Sequence, residues 1–271
     1  MREIRTLICW ATIWVKGLNK KTVAEWIEFC RGFSERTAAD GLFVLEVHGD
    51  VMVSEAEAIR LIDFSACVSS YDVQLFNSFI LDEQDMYSDL WKKYVSTCAA
   101  TVCDIDAEIS ELLIRVIDFK TESVIEGIKR ISEMPEFSRR GKEDSSCHIL
   151  RSYRNGDAAE LEHRIWVAQI QVLFPIIELE RVSFIQKYEA DIQKVLDREE
   201  IIQYGEVLRE AVDVELGSLC YLMNRRYREG FYLLYIPDES DRKRIGFLHD
   251  CRNRLVHVSC CSPEQVLELL G

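Results

Sequence analysis

Near the end of the chain, Asp250-Cys251-Arg252-Asn253-Arg254-Leu255-Val256-His257 places a guanidinium, a carboxamide and an imidazole within two helical turns. These groups suit phosphate chemistry. Imidazole titrates near neutral pH, and a planar guanidinium offers paired donors that match the geometry of a phosphate. On a helix, Leu248, Cys251, Leu255 and Val258 would share the buried face, while His249, Asn253 and His257 recur every four residues along an adjacent stripe. Arg252 and His257 would stand about 140° apart around the axis. A pocket using both therefore needs a second helix, or a second copy of the chain, to close it.

Such a segment must be positioned by a folded core, and the composition allows one. Of 271 residues, 48% are hydrophobic and 30% are charged, the mixture of a soluble globular chain with a large interior. That length accommodates one or two domains. Only four prolines and twelve glycines punctuate it, so long helices should dominate. No window of 18 or more uncharged apolar residues occurs, so no transmembrane helix and no membrane partner are expected. The apolar run Thr6–Val15 leads into Lys16 without a small-residue cleavage site and reads as a buried strand, not a signal peptide. The ten cysteines are irregularly spaced in a chain far larger than disulfide-stapled secreted domains. Reduced, mostly buried thiols in a cytoplasmic protein are the expectation. Cys251, His257, Cys260 and Cys261 match no paired zinc-ligand spacing, so no metal or other cofactor is expected.

A formal charge of −14 opposes indiscriminate binding to nucleic acid. Cations are nevertheless concentrated near the end. Arg225, Arg226 and Arg228 form one cluster, and Arg242, Lys243, Arg244, Arg252 and Arg254 form another. Any contact with RNA belongs there.

Three segments have the apolar, β-branched and aromatic character of strands: Thr6–Val15, Leu42–Val47 and Gln74–Leu81, with Ile59–Phe64 a weaker candidate. Between the first two, Lys21–Arg36 carries Val23, Trp26, Ile27, Cys30 and Phe33 at helical spacing, which predicts a small, largely parallel sheet. Helices are predicted over Asp85–Val102, over Ile105–Ile117 with Asp104 as N-cap, and over Thr121–Glu133. The expected organisation is an α/β region with flanking helices over residues 1–133, a polar linker over 134–156 and a helical domain over 157–271. In the last, helices are predicted at Ala158–Phe174, at Ile176–Asp197 beyond a kink at Pro175, at Ile201–Ala211, at Glu215–Arg228 and at Asp241–Val258. A short final helix is opened by Ser262-Pro263.

An arginine, a polar residue, three further positions and a histidine, near the start of the last helical hairpin, is the pattern of the HEPN superfamily. Arg252, Asn253 and His257 match it position for position, so the C-terminal third resembles a HEPN domain. The resemblance implies a helical bundle, commonly dimeric, and in many members a metal-independent endoribonuclease. It implies His257 as general acid or base, Arg252 as phosphate anchor and Asn253 as an orienting amide, with the RNA 2′-hydroxyl attacking to leave a cyclic phosphate. Other HEPN domains are non-catalytic dimerisation modules. The alternative is therefore a helical interaction or signalling module in which Arg252–His257 is structural.

A second resemblance covers much of the chain. Arg164-Ile165-Trp166-Val167-Ala168-Gln169-Ile170-Gln171-Val172-Leu173-Phe174-Pro175, followed by Glu178 and Arg181, is similar to the helical region after the nucleotide-binding core in bacterial STAND-like NTPases of defence systems. Leu42–Val47 and Tyr71-Asp72-Val73-Gln74-Leu75-Phe76 look like later strands of that core. The phosphate-binding G-x-x-x-x-G-K-[ST] loop is absent, and Glu46 alone would imitate a Walker B acid. The implied fold class is mixed: a partial P-loop-NTPase-like α/β region, then a mainly α-helical HEPN-like bundle, with no ATP hydrolysis by this chain alone. The expected function is an RNA-cutting effector of a bacterial defence system, acting as a homodimer or with a protein partner.

Overall fold

A computed structural model describes residues 12–18, 20–36, 42–47, 59–83, 87–138, 140 and 148–271. The chain is mainly helical, with a small parallel two-stranded sheet and a short antiparallel hairpin. It divides into two compact units that are discontinuous in sequence, Met1–Ser69 with Ser132–Gly156, and Ser70–Ile131 with Asp157–Gly271.

In the first unit, β1 (Thr12–Leu18) pairs in parallel with β2 (Leu42–Val47), joined through helix α1 (Lys20–Arg36). Phe29 and Phe33 of α1 meet Phe43 of β2 edge to face, with centroids 5.8 and 5.3 Å apart, and this contact seats the helix on the ribbon. The register slips between Val15 and Leu18, where Gly17 takes a φ of 73° that a side chain would resist. The predicted first strand extended back to Thr6; residues 6–11 lie outside the described residues. Ile59–Phe64 forms no strand. Its last residues instead lead into a four-residue helix, α2 (Phe64–Cys67), capped by Asp63.

In the second unit, Gln74–Leu81 is not the predicted strand but lies within helix α3 (Ser70–Asp82). Its burial recurs every four residues, at Val73, Asn77 and Leu81, which is helical periodicity that a continuous apolar run concealed. Helix α4 (Asp89–Cys103) lies at the centre, with ten buried residues including the small run Ser96-Thr97-Cys98-Ala99-Ala100 that lets neighbours approach closely. Helix α5 (Ala107–Val116) is capped by Asp106; Asp104 instead ends α4 at a φ of 57°. Helix α6 (Val124–Glu133) approaches so closely that a Cβ on Gly127 would stand 2.5 Å from Leu113. A short helix α7 (Ile149–Arg154) of the first unit precedes α8 (Ala158–Leu196), 39 residues that run through a kink. Pro175 does not divide α8; the departure from helical geometry is at Tyr188, with φ −118° and ψ 19°.

The predicted helix Ile201–Ala211 is replaced by a hairpin of β3 (Ile202–Gln203) and β4 (Glu206–Val207). Tyr204 and Gly205 form its two-residue turn with φ of 54° and 85°, the both-positive pattern of a hairpin turn. Helices α9 (Leu216–Asn224), α10 (Glu239–Val256) and α11 (Pro263–Leu270) complete the bundle. Among the described residues no helix is long and apolar enough to cross a membrane.

Candidate functional site

Helix α10 carries Arg252 and Asn253, and its boundaries follow from its sequence. Asp238 accepts from the amides of Ser240 at 2.8 Å and Asp241 at 3.4 Å. Ile245, Leu248, Cys251 and Leu255 are buried along one face. Val258, expected on that stripe, is exposed instead, because the helix stops at Val256 and the chain reverses. The Ser259 amide donates to the Arg254 carbonyl at 2.9 Å and the Val258 amide to Leu255 at 3.2 Å, a Schellman turn. It holds Val258 at a φ of 57°, strained for a β-branched residue. Ser262 then opens α11 through a capping box with Gln265, and Pro263 sits in its first turn.

The long helix α8 fixes this turn. Trp166 Nε1 donates to the Leu255 carbonyl at 2.6 Å. Gln169, 2% exposed, donates to the Cys261 carbonyl at 3.1 Å and accepts from the Cys261 amide at 2.7 Å. Its Nε2 also meets the Tyr94 hydroxyl of α4 at 3.3 Å. Toward the other end of α10, Arg244 grips Glu180 of α8 at two points, 2.7 and 2.6 Å, and donates to the Glu268 carbonyl of α11 at 2.9 Å. Asp241 accepts from Lys187 at 2.5 Å and from Tyr188 at 2.6 Å. The departure from helical geometry at Tyr188 thus coincides with a bond to α10.

Each predicted site residue has a distinct setting. Arg252 is half-buried and donates to Glu215 Oε2 at 3.1 Å. The same oxygen accepts from the Tyr204 hydroxyl at 2.7 Å. The β3–β4 turn therefore braces the carboxylate that holds Arg252. Asn253 Nδ2 stands 3.0 Å from His249 Nε2, and His249 Nδ1 lies 3.6 Å from Asp250 Oδ1. An Asn253 amide donating to Nε2 puts the ring proton on Nδ1, toward Asp250. His257 is the C-cap of α10. Its backbone amide donates to the Asn253 carbonyl at 3.0 Å, while its exposed ring makes no hydrogen bond among the described residues. The structure thus brings Asn253 to His249 and Arg252 to Glu215, and joins His257 to neither side chain. A cleft of about 320 Å³ beside the turn is lined by Phe119, Glu122, Ile165, Arg254, Val258 and Cys260, and by none of the three predicted residues.

The two cationic clusters differ in kind. Arg242 donates to the Ile236 and Pro237 carbonyls, Lys243 pairs with Glu239, Arg244 with Glu180 and Arg252 with Glu215. Only Arg254 of that group stands exposed without an ion pair among the described residues. Burial pushes Cys98 up to about 12 and Cys260 up to about 11. Among the described residues no group of three or more His, Cys, Asp or Glu is placed to hold a metal.

Glu215, Tyr204 and Gln169 were not apparent as site residues from the sequence. The signal for Gln169 is an amide inside the apolar stripe Leu161, Ile165, Ala168 and Val172, where an uncompensated polar group is costly. The signal for Tyr204 is the glycine that follows it. Glu215 offered none beyond its place at a helix start. Compared with models of known families, with curated proteins and with solved structures, the chain has no match in any of the three.

Proposed function

We propose that the helical region over residues 157–271 is a HEPN-type module that cuts RNA without a metal, as a cytoplasmic effector in a bacterial defence system. The observation that carries this reading is the placement of Arg252, Asn253 and the exposed ring of His257 at the end of α10, immediately before the reversal into α11. His257 is free to exchange a proton with an RNA 2′-hydroxyl or leaving oxygen, and Arg252 supplies donors for the scissile phosphate. A second copy, or a partner protein, completes the cleft, since one chain does not bring the two side chains to a common pocket. The α/β ribbon, with no phosphate loop in the sequence, is read as part of a STAND-like core that hydrolyses no ATP in this chain alone.

A specific observation favours the second reading, a non-catalytic interaction module: Arg252 is already paired with Glu215, and none of the three residues lines the cleft. The deciding experiment is cleavage of total bacterial RNA and tRNA by purified protein in EDTA. Activity in wild type that is lost in His257→Ala supports the nuclease. Equal, absent activity in both, with a partner-supplemented extract included, moves the assignment to the interaction module.

A further inference from the structure

The arginine cluster at residues 225–228 lies outside the site just described. After α9 the chain forms a tight hairpin. The Arg226 and Tyr232 backbones pair antiparallel, the Tyr227 amide donates to Phe231 at 2.7 Å, and the Leu233 amide donates to Arg225 at 2.9 Å. Gly230 turns it at a φ of 91°. The hairpin is rooted in the bundle by buried Leu234 and Ile236, and by the Leu234 amide donating to the Leu222 carbonyl at 3.1 Å.

On this frame, cations and rings alternate. The Arg225 guanidinium sits 5.1 Å from the Tyr221 ring centre. Arg226 sits 4.4 Å from that of Tyr232 and donates to its hydroxyl at 2.6 Å. Phe231 and Tyr235 project beyond them, 71% and 65% exposed. None of Arg225, Arg226 and Arg228 makes an ion pair among the described residues, although the whole chain carries −14 and four of the five cations in the other cluster are engaged internally. Only Glu229 offsets the three arginines within the hairpin. Exposed rings take the faces of unpaired bases, and unpaired guanidiniums take phosphates. A duplex, whose bases are already stacked, would leave Phe231 and Tyr235 without ligands.

We propose that the hairpin Arg225–Tyr235 is a stacking platform for single-stranded RNA. The hairpin follows the C-terminal end of α9, and Glu215 at the other end holds Arg252; the nine residues of α9 span about 14 Å, the reach of a few nucleotides. This inference rests on the RNA-acting reading of α10 for the fate of the strand, but binding is measured apart from cutting.

The test uses the full chain carrying His257→Ala, so that no strand is cut, and a fluorescein-labelled single-stranded RNA of about ten nucleotides. Anisotropy should report binding that weakens steeply with salt. Phe231→Ala combined with Tyr235→Ala should weaken it about tenfold or more, the loss of one or two stacked bases. Phe231→Ser alone, at an exposed position, should weaken it in the same direction with an unchanged circular dichroism spectrum. A duplex of the same length should bind less tightly than the single strand. Equal affinity in parent and hairpin variants, or equal displacement by poly-glutamate, would overturn the platform, the latter by showing a generic site for acidic chains. Hairpin-dependent binding by a wild type that never cuts RNA sinks the nuclease and leaves the platform standing. Cutting by the wild type, with binding by the His257→Ala chain that is indifferent to the hairpin variants, does the reverse.

Discussion

At the scale of single residues, the feature that bears most on the proposed RNA cleavage is the carboxylate of Glu215. It accepts one hydrogen bond from the Arg252 guanidinium, where a phosphate would compete, and Tyr204 donates to the same oxygen. Glu215→Gln removes the charge while keeping the cap position. Cleavage of RNA by this variant is expected to rise several-fold over wild type, with stability changed by less than about 1 kcal/mol, because the ion pair is part-exposed. An unchanged or lower rate in a single-turnover assay would show that the pair does not restrain Arg252. Val258 supplies a second prediction. A left-handed β-branched residue costs on the order of 1 kcal/mol relative to glycine, so Val258→Gly should raise the urea midpoint. If it falls, the valine contributes packing that its 57% exposure does not suggest.

At the scale of elements, the α10–α11 turn depends on one buried amide from α8. Gln169→Leu keeps the volume but leaves the amide and carbonyl of Cys261 without partners, a loss of about 2 kcal/mol in urea unfolding. A neutral result would mean that the turn is held by Trp166 and the capping box alone. Elements with clean periodicity were legible in the sequence: α1, β2, α10 and the Ser262-Pro263 start of α11 fall within a few residues of where patterning puts them. Three were not. Gln74–Leu81 is apolar on both sides of α3, with Leu75 and Phe79 exposed, so its composition mimics a buried strand. Ile201–Ala211 has a helix-like scatter of apolar residues, and the turn at Tyr204-Gly205 overrides it. Pro175 is accommodated inside α8, whose irregular point lies instead at Tyr188, where Lys187 and Tyr188 bond to Asp241. The triad Arg252, Asn253 and His257 was legible as residue types, but its pairings were not, because Glu215 and His249 become partners only once α9 and α10 pack.

At the scale of the whole molecule, the buried thiol of Cys98 makes stability fall in alkali. Cys98 is fully buried, and its thiol is raised from an ordinary 9.0 to about 12. The folded state therefore holds this proton more tightly than the unfolded one. The resulting stabilisation is complete below pH 9 and is lost as the pH rises toward 12. Thermal unfolding should show a midpoint that drops across this interval, and Cys98→Ala should flatten the drop whatever its effect at neutral pH. A slope identical in the two proteins would assign the alkaline loss to other groups. The way α8 is fastened along α10 has a further consequence for recognition. Bonds from Gln169, Trp166, Glu180, Lys187 and Tyr188 fix α10 and the turn beyond it at both ends. The entropy of ordering Arg252 and the backbone of His257 is thus charged to folding. A strand or a second copy that docks there meets a surface already in place, and gains affinity by what it does not have to immobilise.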